Sequence, residues 1–322
     1  MARSSNRKKT SKPVLRDGDL RKFAVETAQG LIGVMKDNAS RILEGDDPIH
    51  DMRVASRRLR ECLQLFKEFF PQKGMKRAQS RIKKVTRVLG TPREMDVNVQ
   101  LLRKRRPGPS QLVQATQEHL IEIFEFEQAR RRRKMLRRFD RLDVTALQDE
   151  LLDFVGNSIA HIPRPGLLGQ PTAEFAMDRF RQTARSILQE KIAPLVAFQT
   201  ALPQPQSDDE LHRLRIAVKK CRYCLELLSP AFDRSFDKAI ASAKELQEVL
   251  GTIHDHVALI QSLQSYQHHL TEKNRARLMQ GCERIVTDLG RRKESYLPQV
   301  EPALKKLLNE LPSLSYPPLP PS

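Results

Sequence analysis

Apolar residues along the chain recur at spacings of three and four positions, which is the pattern of helices with one buried side. Strict alternation over more than four residues is hard to find, so no β-sheet is expected and we predict an all-α fold. Prolines, glycines and capping residues place helices that end near residues 44, 70, 89, 105 and 138, a shorter one over about 145–160, and further helices over about 172–199, 208–229, 233–250, 253–270 and 272–293.

Three residues are expected to interrupt or close these helices. Gly90 and Gly251 each follow a predicted helix and suit the left-handed residue found just beyond a helix C-terminus. Pro194 is expected to kink or end the helix that contains it, because proline lacks the backbone N–H.

The helices fall into two similar units of about 160 residues. The stretch 161–171 holds three prolines and two glycines, which forbids a continuous helix, so we predict a linker there between repeat one (16–160) and repeat two (172–310). Residues 1–15 are expected to form a disordered basic arm, and 311–322 a proline-rich, extended tail.

Charge is the strongest signal in the composition. The 322 residues carry 57 Lys and Arg against 39 Asp and Glu, a formal net charge of +18, which favours an anionic partner. Residues 1–162 hold 35 of these cations and 21 of the acids, so the first half is the stronger anion binder. Trp is absent and aromatics make up 5%, which argues against binding of single strands by base stacking.

The same composition indicates a cytoplasmic protein. The basic N-terminus lacks an apolar segment, so no secretory signal is expected, and no run of 18 apolar residues predicts a membrane span. The four cysteines are sparse and unevenly spaced, which argues against a disulfide framework and for a reducing compartment. No membrane partner is expected.

A basic motif occurs twice, 162 residues apart. The segment from His50 to Arg60 lines up with the segment from His212 to Arg222, and five histidine or basic positions match among eleven. At about 100° per residue, these positions form one stripe along a helix, with apolar residues on the opposite side. The matching cations are Arg53, Arg57, Arg58 and Arg60 in the first copy, and Arg215, Lys219, Lys220 and Arg222 in the second.

The simplest interpretation of one such stripe is the solvated side of a surface helix. Solvated sides usually mix signs, because neighbouring like charges destabilise a helix by a few tenths of a kcal/mol. Each stripe here contains successive cations with no acid between them, and it occurs in both copies. An anionic ligand that relieves the repulsion explains both features.

A second repeated motif follows each basic helix. Leu89-Gly90-Thr-Pro-Arg93-Glu94 corresponds to Leu250-Gly251-Thr-Ile-His254-Asp255 at an offset of 161. The helix before this second motif carries cations in both copies, but the second copy carries fewer. Lys83 and Arg87 in the first copy correspond to Lys244 and Glu248 in the second.

Together these motifs resemble the CHAD family, the conserved histidine α-helical domain. The matching residues are His50 to Arg60 followed by Leu89 to Val97, with His212 to Arg222 and Leu250 to Asp255 as a degenerate second set. The resemblance spans about residues 16–293. It implies two pseudo-symmetric helical bundles packed into one compact domain, with a basic central groove or pore that binds inorganic polyphosphate.

The resemblance also implies the ligand residues. Carried over by position, the candidate polyphosphate ligands are His50, Arg53, Arg57, Arg58, Arg60, Lys83, Arg87, Arg93, His212, Arg215, Lys219, Lys220, Arg222 and Lys244. The lysines at 219 and 220, His254 in place of an arginine and Glu248 in place of Arg87 depart from the pattern. These departures predict a weaker contribution of the second half to binding.

We expect a binding protein rather than an enzyme, without catalytic residues, cofactor or metal, that is targeted to polyphosphate granules. Other polyanions are further candidate ligands, and a separate polyphosphate-metabolising enzyme is a candidate partner. Two alternatives stay open: a nucleic-acid-binding protein attracted by the same charge, and a metal-dependent phosphohydrolase acting on phosphate chains.

Other motifs carry weaker signals. His50 and His212 lack a clear third metal ligand, and the adjacent His254-Asp255-His256 side chains point apart on a helix. Cys221 and Cys224 have redox spacing but lie on the apolar side, so we expect core residues. The run from Arg130 to Arg138 places seven cations in nine residues, which suits a solvated helix end or a supplementary polyanion contact.

Overall fold

The computed structural model describes residues 20–44, 48–106, 108–157, 173–201, 207–232, 236–268 and 275–311, and every regular element among them is helical. The predicted arm, the linker 161–171 and the tail beyond residue 311 lie outside these ranges. The prediction of an all-α fold is confirmed. The α-helices are α1 (Leu20–Leu43), α2 (Ile49–Leu65), α3 (Gln72–Val88), α4 (Gly90–Lys104), α5 (Gln111–Asp140), α6 (Val144–Gly156), α7 (Ala173–Ala201), α8 (Asp208–Leu228), α9 (Asp237–His268), α10 (Arg275–Tyr296) and α11 (Val300–Glu310).

Two compact units divide the chain. Unit 1 comprises Met1–Thr86, Leu142–Ser186 and Leu227–Arg234, and unit 2 comprises Arg87–Arg141, Ile187–Glu226 and Ser235–Ser322. Each unit therefore draws on sequence from both sides of the predicted linker. The predicted repeats and their pseudo-symmetry stay predictions.

Unit 1 is organised around α1, which packs against α2 and α6. Its most deeply buried side chains include Ala24 and Met35 from α1 and Met52, Leu59 and Leu63 from α2. In α2 the buried residues recur at three- and four-residue spacing, so the apolar side predicted from the sequence is confirmed. That orientation leaves the basic positions of α2 on its other side.

The core of unit 2 joins α4, α5, α9 and α10. Leu102, Leu120, Leu259 and Ile285 each have no exposed surface and belong to one apolar cluster. α10 and α5 approach closely at Gly281, where a Cβ atom would lie 2.0 Å from the Thr116 hydroxyl oxygen. The missing side chain is what permits this helix crossing.

Gly90 and Gly251 differ from their prediction as left-handed residues. Gly90 is the first residue of α4, and Gly251 lies inside α9, which continues without a break from 237 to 268. Among the described residues, the one glycine with positive φ is Gly74, at the kinked start of α3. The apolar side of α9 runs on beyond Gly251 through Ile253 and Leu259, and this burial outweighs the cost of about 1 kcal/mol for a glycine within a helix.

Other helix boundaries were also placed differently from the sequence-based prediction. α2 ends at Leu65 and a short 3-10 turn over Lys67–Phe69 follows, so the helix stops before Phe70. α7 continues through Pro194, so the helix does not end there, and the expected kink stays a prediction. α11 was not predicted, although Val300, Leu304 and Leu307 recur at helical spacing and are buried.

Candidate functional site

The first basic face lies on α2 in unit 1. His50 is exposed, while Arg53, Arg57 and Arg60 are partly exposed on the side opposite Met52 and Leu59. We call these four residues the α2 basic stripe. Arg58 lies at its edge and is also partly exposed. The sequence-predicted ligands of this helix therefore share one accessible side.

A partly buried hydrogen bond joins α2 to α3. The Ser56 hydroxyl lies 2.9 Å from the Thr86 hydroxyl, and each hydroxyl oxygen also lies 3.0 Å from a carbonyl oxygen of its own helix, that of Arg53 or Ile82. One hydroxyl donates to the other, which in turn donates to the carbonyl of its own helix. Ser56 is three residues beyond Arg53, and Thr86 is three residues beyond Lys83. The bond therefore lies about one helical turn beyond Arg53 on α2 and about one turn beyond Lys83 on α3.

The cations of α3 form two groups with different roles. Arg77 and Arg81 both contact the single Glu150 carboxylate of α6, at 2.8 and 2.5 Å, so the fold already provides them with a shared acidic partner. Lys83 and Arg87 are exposed and, within the described part of the chain, no carboxylate lies in ion-pair range of either. The second group is available to a ligand.

The second basic face lies on α8 in unit 2. Ser207 and Glu210 cap the helix reciprocally: the backbone N–H of Ser207 donates to the Glu210 carboxylate at 2.8 Å, and the N–H of Glu210 donates to the Ser207 hydroxyl at 3.3 Å. The hydrogen bonds that the Glu210 carboxylate accepts from the Ser207 backbone N–H and, at 2.9 Å, from the Ser207 hydroxyl lower the pKa of Glu210. The cap fixes the start of α8 two turns before the cations.

The apolar side of α8 is buried as predicted. Leu214 and Val218 have no exposed surface, and Cys221 and Cys224 are buried beside them as free thiols. Burial raises the pKa of Cys221 to about 12, so the thiol stays protonated and unreactive at neutral pH. The interpretation of this pair as core residues is confirmed.

His254 of α9 lies against the cations of α8. Its Nδ1 atom is 3.4 Å from Nδ1 of His212, and the two ring centroids are 4.9 Å apart. Burial lowers the pKa of His254 to about 4, and the charges of Arg215, His212 and Lys219 act in the same direction. We call His212, Arg215, Lys219 and His254 the α8–α9 basic cluster.

The remaining predicted ligands differ in whether other groups of the fold already contact them. Arg222 lies 3.8 Å from Glu226 and its guanidinium stacks 5.1 Å from the Tyr223 ring centre, so the fold already occupies it. Lys220 and Lys244 are exposed, but Glu248 is exposed on the same side of α9 as Lys244. Arg93 is a helical residue of α4 whose side chain lies outside the description.

Two features are absent from the described residues. No group of three or more His, Cys, Asp or Glu side chains within them is arranged to hold a metal ion. None of the helices that the structure describes is both long enough and apolar enough to cross a membrane.

A model of the CHAD domain matches residues 26–264, most of the chain. The chain belongs to the CHAD family. The crystal structure of the CHAD domain from the plant Ricinus communis is similar, with a TM-score of 0.63 and 22% identity over 90% of this chain and 92% of that one. PptA from Streptomyces chartreusis has a TM-score of 0.54 and 11% identity over 90% and 99% of the two chains. At these identities the likeness concerns the fold alone. No curated protein matches.

The pairing of His254 with His212 was not predicted for this CHAD chain. The sequence shows His254 as a departure from an arginine position, and 42 residues separate it from His212. The available sequence signal was the repeated motif at an offset of 161. It places His254 at the same position after the second basic helix as Arg93 has after the first. Ser56 and Thr86 were missed because small hydroxyl residues carry no charge pattern.

Proposed function

We propose that this CHAD protein binds inorganic polyphosphate through the α2 basic stripe, through Lys83 and Arg87 of α3, and through the α8–α9 basic cluster. The observation that carries the proposal is repetition: α2 and α8 each bury an apolar side and keep a row of cations along the other. Two helices that share this arrangement in one chain are better explained by a common ligand than by solvation alone.

The chemistry of polyphosphate suits these rows. The ligand is a string of charged tetrahedral groups without bases, so it offers no sequence to read. Side chains three or four residues apart on a helix lie about 5–6 Å from one another, and arginine forks bind phosphate oxygens in pairs. Binding without catalysis, at polyphosphate granules in the cytoplasm, is part of the proposal.

Calorimetric titration with long-chain polyphosphate tests the proposal. We expect tight binding that weakens steeply between about 50 and 200 mM salt, because each neutralised phosphate releases counterions. An Arg53→Ala/Arg57→Ala/Arg60→Ala variant should bind at least about tenfold more weakly and show a shallower salt dependence.

The control removes the same charge elsewhere. Arg106→Ala/Arg277→Ala/Arg291→Ala takes away three exposed cations outside both basic faces and should change affinity less than about threefold. Equal losses in the two triple variants would show that net charge alone attracts the ligand and would refute the assigned face. Displacement of polyphosphate by RNA would favour nucleic acid instead, and release of free phosphate with a divalent metal would indicate a phosphohydrolase.

Polyphosphate binding at the α8–α9 basic cluster should be linked to proton uptake. The free protein protonates His254 only near pH 4, because burial and the surrounding cations oppose its charge. A phosphate chain beside Arg215 and Lys219 offsets that repulsion and raises the pKa of His254 towards its ordinary value of about 6.5. Affinity should therefore rise about three- to tenfold from pH 7.5 to pH 5.5.

Titrations in buffers of different ionisation enthalpy measure the protons taken up. His254→Asn should lose most of the uptake and of the pH dependence, whereas His268→Asn, at an exposed position of the same helix, should keep both. The same linkage lowers the stability of the free protein in acid. An unfolded chain protonates this histidine near pH 6.5 and the native one near 4, so acidification between these values favours unfolding.

A further inference from the structure

The exposed side of α5 carries a charge pattern that polyphosphate binding does not use. Glu118 and Glu122 are exposed in its N-terminal half, and Arg130 and Lys134 are exposed in its C-terminal half. Between them lies Phe126, whose 66% exposure is the highest among the large exposed apolar residues of the described chain. The acids precede this phenylalanine by four and eight residues, and the cations follow it by four and eight.

These five residues form one ridge of the helix. Residues four apart lie along a continuous row on a helix surface, and rows of this kind interdigitate in the commonest class of helix packing, with a crossing angle of about −50°. The opposite side of α5 is occupied, since Leu120, Phe124, Met135 and Phe139 are buried. Among the described residues the ridge is therefore the solvent-exposed side of α5, and its contact at Arg130 is with Glu127 of the same helix, at 2.9 Å.

We infer that a second copy of this protein docks on the ridge, with the two α5 helices antiparallel about a two-fold axis at Phe126. That symmetry pairs each residue before Phe126 with the residue equally far beyond Phe126 in the second copy. Glu122 then faces Arg130, Glu118 faces Lys134, and the two phenylalanine rings cover each other. A two-fold interface requires such self-complementarity.

Charge complementarity identifies the occupant. A polyanion would bind the basic half of the ridge and be repelled by its acidic half, while the phenylalanine would stay exposed to water. A second copy satisfies all three parts at once. The pairs are exposed and individually weak, so Phe126 supplies the anchor and the charges set the register.

Sedimentation velocity of the full chain across a concentration series tests the dimer. We expect a reversible monomer–dimer equilibrium, and Phe126→Ala should raise the dissociation constant at least about tenfold. Salt is a poor probe here, because it also screens the repulsion between two copies that each carry a net charge of +18. Reversing charges within the ridge tests the pairing more selectively than a change of salt concentration.

Two variants separate pairing from general charge. Glu118→Lys/Glu122→Lys makes the ridge wholly basic and Arg130→Glu/Lys134→Glu makes it wholly acidic, so each should be monomeric by itself. An equimolar mixture of the two restores all four opposite-charge pairs and should form a heterodimer at least as tight as the wild-type dimer. Circular dichroism checks that both variants keep the helical fold, since all four positions are exposed.

The inference fails if the wild-type chain sediments as a monomer up to about 100 μM. It also fails if either charge variant alone dimerises like the wild type, or if the mixture does not restore the dimer. A loss of polyphosphate binding in Arg130→Glu/Lys134→Glu, with no dimer in the wild type, would assign the basic half to the polyanion and overturn the pairing.

Discussion

Gly281→Ala is expected to destabilise the protein by at least about 3 kcal/mol. A Cβ atom at this position of α10 would lie 2.0 Å from the hydroxyl oxygen and 2.7 Å from the Cβ of Thr116 on α5. Thr116 is buried and its hydroxyl donates to the Leu112 carbonyl at 2.7 Å, so the side chain cannot swing away without losing that bond. The helices must separate, and overpacking of this severity exceeds the usual cost of 1–3 kcal/mol.

Urea unfolding followed by circular dichroism gives the free energy of unfolding for the variant and for a matched control. Gly290→Ala changes another glycine of α10, beside which nothing lies within 4 Å, and should stabilise the protein by up to about 1 kcal/mol. Replacing Thr116 by glycine in the Gly281→Ala background removes all three clashing atoms and should recover part of the loss. An unchanged stability in Gly281→Ala would mean that α5 and α10 do not cross so closely.

Arg105→Met is expected to cost about 2–3 kcal/mol. The side chain of Arg105 is 6% exposed, and its guanidinium donates to Asp288 at 2.8 Å and to Gln117 at 2.6 Å. Breaking a buried ion pair usually costs 3–5 kcal/mol, because the remaining charge has been removed from water. The cost should lie below that range here, since Asp288 keeps 32% of its side-chain surface exposed.

Arg292→Met supplies the matched comparison for this pair. Arg292 contacts the same carboxylate at 3.3 Å from α10 but is 45% exposed, so its removal should cost less than about 0.5 kcal/mol. Unfolding free energies from the same urea titrations measure both effects. Similar losses in the two variants would contradict a role of burial in the Arg105 pair.

The sequence was sufficient for features that depend on periodicity. The apolar sides of α2 and α8 were predicted correctly, down to the burial of Cys221 and Cys224, because burial follows the repeat of a helix directly. The basic residues on the opposite sides of these helices follow from the same periodicity. The all-α architecture was predictable for this reason, whereas the family was identified from the resemblance of the repeated motifs to the CHAD pattern.

Features that depend on contacts between distant segments could not be predicted from the sequence. A glycine within a helix costs only about 1 kcal/mol, so Gly251 does not end α9 when the apolar residues around it are buried. Likewise, the approach of His254 to His212 depends on how α8 packs against α9, which no local pattern specifies. The Ser56–Thr86 hydrogen bond is a further case, since its partners are 30 residues apart.

The interleaving of the two units along the chain bears on synthesis by the ribosome. Domains of large proteins commonly fold one after another as the chain emerges, with the N-terminal domain first. Here unit 1 takes its last segment from Leu227–Arg234, and unit 2 has by then begun with Arg87–Arg141. Unit 1 therefore cannot be completed until Leu227–Arg234 has been made, although α1, α2 and α6 can pack before then, and chaperones have that interval in which to bind the incomplete unit.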